Sequence, residues 1–292
     1  MQFYMLNRSA FVSLRLMKIK IFIISLVRCT DRRERIAERL CALNIPFEFI
    51  NAVDAQALSA EETHTIQTSQ RARRDYGRTI GSTEIACAFS HLKAYQAVHT
   101  HGLDGAIILE DDAIIDEQFA PFVNWLTQQE TVPKGLWLLG GGEYLEKQVL
   151  KNYFDFSILA KNPAVMDSTW GKLFQIECCF DKLARACGYF IDAQTALALR
   201  NYNNPPAALA DDWPFFIHNG CIQSAYICQP YLIQHPIEIN GQSLLQAERA
   251  LPQGNAHSKK KLSTLIKERL GYYQALYRIK VCIHQLKHRV FR

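Results

Sequence analysis

Three consecutive carboxylates form the strongest chemical signal in the sequence. Glu110, Asp111 and Asp112 directly follow the apolar run Ala106-Ile107-Ile108-Leu109, within the stretch GAIILEDDAI. A run without polar alternation is typical of a strand covered on both faces in a central sheet. Adjacent carboxylates repel one another unless a cation or a proton lies between them. Oxygen ligands at this density suit Mg²⁺ or Mn²⁺, which also takes phosphate oxygens from a substrate. The alternative is an acidic surface turn.

The elements that must position this triplet alternate between strands and helices. Ile19 to Leu26 predicts the first core strand, and a helix from about Arg32 to Leu43 follows, with Thr30 as its cap. Ser82 is the expected cap of a second strong helix, with Glu84 in its first turn. Further strands are expected at FEFINAV, LWLLGGG, CGYFID and SAYICQPYLIQH, with helices near 118–129 and at AQTALALRNY. Residues 55–80 are expected to form a mobile loop or an irregular helix, and 143–180 to be irregular.

The chain of 292 residues is long enough to bury a large core. We predict an extension at 1–17, one α/β catalytic domain at 18–252 and a helical tail at 253–292. The apolar segment at 19–27 is broken by Lys20 and is too short to cross a bilayer, so it does not fit a signal peptide. Nine cysteines without any C-x-x-C pair indicate buried thiols and a reducing cytoplasm.

Positive charge is concentrated at the carboxyl end of the sequence. Residues 256–292 carry ten Lys or Arg and one acid, a formal charge of +9, whereas the whole chain carries +5. Residues 1–255 are therefore acidic, at about −4 by the same formal count. Apolar residues recur at roughly helical spacing between the basic ones, which predicts a basic amphipathic helix that binds an anionic membrane surface. The alternative is a tail helix that packs on the core. A nucleic-acid partner is a weaker alternative, because no recognition motif accompanies the charge.

Four segments in fixed order resemble the family 25 glycosyltransferases, which include lipooligosaccharide galactosyltransferases of Gram-negative bacteria. They are IFIISLVRCTDRRERIAERL, FINAVDA, GSTEIACAFSHLKAYQ and AIILEDDAI, and the resemblance covers about 18–245. It implies a GT-A-like fold with a mostly parallel central sheet, a UDP-sugar donor, inversion at the anomeric carbon and a divalent metal. The acidic triplet is then the counterpart of the D-x-D motif of such enzymes, although its first acid is Glu110 rather than an aspartate.

The resemblance also assigns roles to individual residues. The metal ligands are expected to be Asp112, Asp111 and His235. The donor-binding residues are expected to be Ser25, Arg28, Arg33, Asp54, Glu84, Ser90, His91, Glu110, Asp111 and Ser243. On physical grounds the arginines at 28, 32 and 33 follow the first strand, where guanidinium groups pair well with phosphate. Asp54 follows the second strand, where it is placed to accept hydrogen bonds from ribose or uracil.

An inverting transfer also needs a general base for the acceptor hydroxyl. The stretch ALADDWPFF offers Asp211 and Asp212 beside Trp213, an aromatic residue that can stack on a sugar ring. We favour Asp212 slightly over Asp211, and we expect one of the two to cap the helix that Pro214 begins.

These observations predict an enzyme that adds a hexose, with galactose the expected sugar, to a lipid-linked oligosaccharide. We expect it in the cytoplasm, peripheral on the inner face of the bacterial inner membrane. A glucosyltransferase with another acceptor is one alternative. A metal-dependent hydrolase of phosphate esters and a noncatalytic sugar- or partner-binding relative are the others. A hydrolase of this kind usually recruits more Asp or His ligands for a second metal than the sequence shows.

Overall fold

The computed structural model describes residues 15–67, 79–140, 160–178, 180–206 and 208–234. Its helices are α1 (Thr30–Ala42), α2 (Ala60–Gln67), α3 (Ser82–Thr100), α4 (Phe119–Thr127), α5 (Ala193–Tyr202) and α6 (Trp213–His218). Its strands are β1 (Ile19–Ser25), β2 (Glu48–Asn51), β3 (Gly105–Glu110), β4 (Ile114–Ile115), β5 (Leu136–Leu138), β6 (Val165–Asp167), β7 (Gly171–Gln175), β8 (Gly188–Asp192), β9 (Ala225–Gln229) and β10 (Ile233–Gln234).

A central sheet of eight strands has the order β2-β1-β3-β8-β5-β9-β7-β6, and β10 pairs separately with β4. Strand β1 runs parallel to both of its neighbours, β2 and β3, and β5 runs parallel to β9. Strand β8 is antiparallel to β3 and β5, and β7 is antiparallel to β6 and β9. The predicted α/β class is therefore confirmed and is consistent with a GT-A-like fold. The sheet is mixed, because the strands CGYFID and GKLFQ run against their neighbours, and the expected parallel pairing holds at the β2-β1-β3 end and at β5-β9.

Helices cover both faces of this sheet, which explains the unbroken apolar runs in its strands. In β3, Ala106 and Ile108 pack in the core that contains buried residues of α3, α5 and α6. Ile107 and Leu109 point to the opposite face and pack in the core that contains buried residues of α1 and α4. Helix α1 contributes Ile36 and Leu40, which lie on one face because they are four residues apart.

Several predicted boundaries shift in the structure. Helix α1 begins at Thr30 itself, and Cys29 is its cap residue. Gly81, rather than Ser82, is the cap residue of α3, and the Glu84 carboxylate accepts a hydrogen bond from the Gly81 N–H at 3.0 Å. The expected last strand is divided into β9 and β10, because Pro230 lacks the N–H that would continue the ladder.

Two other expectations are wrong in part. Within 143–180, the structure contains the antiparallel pair β6 and β7, and within 55–80 it contains the regular helix α2. The cysteine pattern predicts buried thiols, and Cys178, Cys187, Cys221 and Cys228 are buried. Cys41, however, is exposed, and Cys29 and Cys87 are half-buried. Among the residues described here, no helix combines the length and the apolar character needed to cross a membrane.

Candidate functional site

The carboxyl ends of three neighbouring parallel strands meet at one edge of the sheet. Because β1 pairs in parallel with both β2 and β3, Ser25, Asn51 and Glu110 all come to this edge. The amino-terminal half of α3 forms the facing wall. A cleft of about 450 Å³ opens between them, and it is lined by Ile24, Ser25, Leu26, Arg28, Arg32, Ala52, Val53, Asp54, Ala55, Gln56, Ser82, Thr83, Ala86, Cys87, Ser90, Glu110, Asp111 and Asp112. Ligands of open α/β sheets bind at such edges.

The aspartates of the triplet are joined to β1 and α1. The Ser25 hydroxyl donates a hydrogen bond to Asp111 Oδ2 at 2.7 Å. The Arg32 guanidinium forms ion pairs with Asp111 and with Asp112, the latter at 3.0 Å. Burial raises the pKa of Asp111, while Arg32 and Ser25 act in the opposite direction. The Arg32 guanidinium therefore bridges the two aspartates, and the Ser25 hydroxyl orients one of them.

Asp112 has the properties expected of a cation ligand. Burial, followed by the charge of Glu110, raises its pKa from 3.8 to about 7. Its Oδ1 is buried and has no hydrogen-bond partner within the described parts of the chain. A hard divalent cation would satisfy this oxygen and remove the repulsion between the carboxylates. The residues present therefore fit Mg²⁺ or Mn²⁺ at Asp111 and Asp112.

The remaining acid of the triplet, Glu110, faces α3 rather than α1. Its Oε1 lies 3.4 Å from His91 Nε2 and 4.0 Å from Cys87 Sγ. His91 is almost fully buried, and its Nδ1 lies 2.7 Å from the Tyr189 hydroxyl, which donates a hydrogen bond to the Tyr95 hydroxyl at 3.0 Å. Burial, followed by the charge of Glu110, raises the pKa of the Cys87 thiol well above its usual value. His91 therefore lies beneath the cleft, where it contacts Glu110.

Arg28 and Asp54 form an ion pair on the cleft wall. Arg28 Nε donates to Asp54 Oδ2 at 2.6 Å, and a second guanidinium nitrogen donates to Oδ1 at 3.2 Å. The hydrogen bond from Arg28 lowers the pKa of Asp54. Asp54 also accepts a hydrogen bond from the Gln56 N–H at 3.1 Å. Both residues are thus preorganised, charged and in contact with the cleft.

Arg33 lies outside the cleft lining. Its guanidinium donates to Asn51 Oδ1 at 3.2 Å and lies 4.2 Å from the centre of the Phe49 ring. Its neighbour Arg32 reaches the acidic triplet instead. The helical turn of α1 explains this difference, because consecutive residues of a helix point in directions about 100° apart.

Two of the predicted donor-binding residues, Ser90 and Glu84, form hydrogen bonds to the backbone that hold the fold together. The Ser90 hydroxyl accepts a hydrogen bond from the Val53 N–H at 2.8 Å and donates one to the Ala86 carbonyl at 2.7 Å. It therefore ties the end of β2 to α3 and contributes to the cleft wall. Glu84 is buried and caps α3.

The two candidate bases have different surroundings. Asp212 is the cap residue of α6, and its carboxylate accepts a hydrogen bond from the Phe215 N–H at 3.3 Å. Asp211 Oδ2 accepts one from the Arg185 N–H at 3.1 Å. The charge of Asp211 also contributes to the raised pKa of Cys87, which lines the cleft. Neither Asp211 nor Asp212 is among the residues that line the cleft, so the link of Asp211 to it is through Cys87.

Some predicted residues lie outside the described parts of the chain, and the site contains others that the sequence did not predict. His235, Ser243 and the tail at 253–292 lie outside the described residues. Tyr189 is a partner of the site that sequence reasoning missed, because CGYFID has only the pattern of a buried strand. Gln56 and Thr83, which also line the cleft, carried no sequence signal.

The sequence is similar to known proteins over the part that contains the cleft. A family model described as glycosyltransferase family 25 (LPS biosynthesis protein) matches residues 18–213. A Bos taurus protein described as a probable inactive glycosyltransferase 25 family member 3 is 30% identical over 121 residues, which are 40% of this chain and 20% of its own.

Two further relatives carry names that state an activity. Procollagen galactosyltransferase 1 of Danio rerio is 30% identical over 96 residues, 32% of this chain and 16% of its own. Procollagen galactosyltransferase 2 of Mus musculus is 31% identical over 103 residues, 34% of this chain and 16% of its own. The aligned segments thus span a fifth or less of these relatives.

Proposed function

The chain belongs to glycosyltransferase family 25, and on that premise we propose that it transfers a hexose, with galactose the expected sugar, from a UDP-sugar to a glycan acceptor. The observation that carries this proposal is the acidic triplet at the carboxyl edge of the sheet. There Asp111 and Asp112 share one cleft with Arg28 and Arg32. A site that combines carboxylates for a cation with guanidinium groups for phosphate suits a nucleotide diphosphate.

In this proposal, arginines bind the diphosphate of the donor and an acid binds its nucleoside. Arg28 and Arg32 bind the diphosphate oxygens, because guanidinium groups pair with phosphate in bidentate fashion. Asp54 accepts hydrogen bonds from the nucleoside. The Ser25 hydroxyl orients Asp111, which lies 2.7 Å away.

The proposed metal is Mn²⁺ or Mg²⁺, and Asp111 and Asp112 would hold it, with Glu110 keeping the site negative. The cation would neutralise the charge that develops on the leaving diphosphate. The buried Asp112 Oδ1, which has no hydrogen-bond partner in the described ranges, supports this assignment. Arg32 contacts both aspartates and offsets part of their charge.

We assign the general base to Asp211 rather than Asp212. Both carboxylates accept a backbone N–H, Asp212 as the cap of α6 and Asp211 from Arg185, but only the charge of Asp211 is among those that raise the pKa of Cys87 in the cleft lining. In the proposed step the base takes the proton of the acceptor hydroxyl as that oxygen attacks the anomeric carbon from the opposite face. The bond from that carbon to the diphosphate breaks, and UDP leaves with the electron pair, so the configuration is inverted.

The proposed acceptor is a lipid-linked oligosaccharide at the inner face of the bacterial inner membrane. The description of the matched family as an LPS biosynthesis protein supports this choice. The formal charge of +9 on residues 256–292 supports attachment to an anionic surface. The enzyme would then be a peripheral protein of the cytoplasmic face.

A noncatalytic sugar- or partner-binding protein is the second candidate, because some relatives are described as inactive. The acidic triplet, which is intact in this chain, favours the active enzyme. A glucosyl donor is the alternative to galactose.

Turnover of a panel of UDP-sugars, with Mn²⁺ or with EDTA, tests the proposal. Wild type should consume one UDP-hexose only with metal, and Asp112→Asn should not. Asp167→Asn is the matched control, because Asp167 lies on β6 at the far end of the sheet. If no nucleotide sugar is bound or consumed with metal present, the noncatalytic candidate takes its place.

A further inference from the structure

A thiol, an imidazole and a carboxylate converge on the floor of the cleft. One ligand atom each from Cys87, His91 and Glu110 lies within 4.8 Å of the other two. Cys87 and Glu110 line the cleft, and His91 is buried behind them. This set contains sulfur and nitrogen, so it differs in chemistry from the oxygen ligands of Asp111 and Asp112.

The spacing of the three atoms is close to that of tetrahedral coordination. Zinc binds sulfur at about 2.3 Å and nitrogen or oxygen at about 2.0–2.2 Å, so neighbouring ligand atoms of a tetrahedral site lie roughly 3.3–3.8 Å apart. Glu110 Oε1 lies 3.4 Å from His91 Nε2 and 4.0 Å from Cys87 Sγ. Small side-chain movements would therefore bring all three atoms to bonding distance from one ion.

The surroundings of His91 support the same conclusion. Its Nδ1 lies 2.7 Å from the Tyr189 hydroxyl, and Tyr189 in turn donates to Tyr95. In metal sites, a hydrogen bond from one ring nitrogen of the ligating histidine fixes the ring and leaves the other nitrogen available to the metal. His91 Nε2 lies 3.4 Å from Glu110 Oε1, so this nitrogen faces the carboxylate of the set.

We propose that Cys87, His91 and Glu110 form a binding site for Zn²⁺ or another thiophilic divalent cation on the floor of the cleft. The fourth position faces the cleft and is open to water or to a ligand group, as in zinc sites with three protein ligands. Binding displaces the thiol proton, since a coordinating cysteine is a thiolate. The proposal does not depend on the transferase function, because it concerns metal binding alone.

The test is titration of the metal-free full chain with Co²⁺ and with Zn²⁺. We expect an intense near-ultraviolet band from thiolate-bound Co²⁺, which Zn²⁺ displaces. Cys87→Ser should abolish the band and weaken Zn²⁺ binding by at least about tenfold, since changing even a residue that only hydrogen-bonds to a ligand costs about 10–100-fold. The matched control is Cys41→Ser, which alters an exposed cysteine and should keep the band.

Two further measurements separate this site from the proposed donor metal. Asp112→Asn should keep the thiolate band while losing Mn²⁺ binding. In wild type, Zn²⁺ should protect Cys87 but not Cys41 from alkylation, which tests the site without any variant. Absence of the band, or a band that survives Cys87→Ser, would overturn the proposal and leave Cys87, His91 and Glu110 as a hydrogen-bonded network only.

Discussion

The Ser25 hydroxyl donates a 2.7 Å hydrogen bond to Asp111 across the ends of two neighbouring parallel strands, although 86 residues separate them. The bond joins the end of β1 to the acidic triplet after β3. Because Asp111 is buried and its pKa is raised by that burial, the hydroxyl stabilises a carboxylate that has lost most of its water. One side chain from β1 thereby supports the orientation of a carboxylate after β3.

Removing that hydroxyl should weaken cation binding. In Ser25→Ala, Asp111 loses a hydrogen bond to a charged group, which we expect to lower the free energy of unfolding by about 1.5–3 kcal/mol at neutral pH. Mn²⁺ binding, measured by the loss of the free-ion signal in electron paramagnetic resonance, should weaken as well. Ser25→Thr keeps the hydroxyl and is the matched control. Equal Mn²⁺ affinity in all three proteins would show that the hydroxyl does not position Asp111.

The raised pKa of Asp112 predicts how the stability of the metal-free protein changes with pH. Because this pKa is about 7 in the folded chain and its ordinary value is 3.8, the folded state binds more protons between these values. The contribution of Asp112 to the free energy of unfolding is therefore greatest below pH 4 and is lost as the pH rises towards 7.

Chemical denaturation in EDTA across this pH range tests the prediction. Asp112→Asn should lack that loss, so it should gain stability relative to wild type as the pH rises from 4 to 7. Each unit of pKa shift corresponds to about 1.4 kcal/mol, which sets the scale of the difference. If the free energy of unfolding changes with pH in parallel for wild type and Asp112→Asn, the pKa of Asp112 is not raised in the folded protein.

Arg28 should matter for ligand binding rather than for stability. The Arg28–Asp54 pair is exposed to solvent, and exposed ion pairs contribute little to folding. We expect Arg28→Ala to leave the unfolding temperature nearly unchanged and to weaken UDP binding by about tenfold or more, the worth of a charge-assisted hydrogen bond. Isothermal titration calorimetry measures this affinity. Arg35→Ala, on α1 and outside the cleft lining, should bind UDP as wild type does.

The two neighbouring aspartates should separate in function. Asp211→Asn should lower the turnover number by about 10²–10⁴, the usual contribution of a general base, with little change in UDP binding. Asp212→Ala should lower the free energy of unfolding by about 1 kcal/mol, because α6 loses its cap. Asp212→Asn keeps the cap and should retain both activity and stability. If instead Asp212→Asn is inactive and Asp211→Asn is active, the base is Asp212.

The basic tail should control membrane attachment without affecting chemistry. Deleting residues 256–292 should release the protein from anionic vesicles and leave transfer to a soluble acceptor unchanged. Replacing Lys259, Lys260 and Lys261 by Gln should weaken binding by part of this amount, since each basic residue near the surface contributes about 1 kcal/mol. Cosedimentation with vesicles at two salt concentrations measures both effects. Unchanged vesicle binding after the deletion would exclude the tail's proposed role.

Local sequence was sufficient to predict the strands around the triplet and the chemistry of its carboxylates. Largely apolar runs marked β1, β3 and β8, because strands buried on both faces carry few polar residues. The ordered motifs identified the family, and the three carboxylates predicted the place of a cation. These properties depend on residues close together in the chain, so periodicity and residue type were sufficient.

Which distant residues act together depends on how the elements pack in the fold. The tertiary structure selected Arg32 over Arg33 for the triplet, because the direction of a side chain on α1 depends on how the helix packs. It placed Tyr189 beside His91, from which it is separated by 98 residues. Such pairs depend on strand order and on the antiparallel direction of β8, and long-range pairing leaves no periodic signal in the sequence.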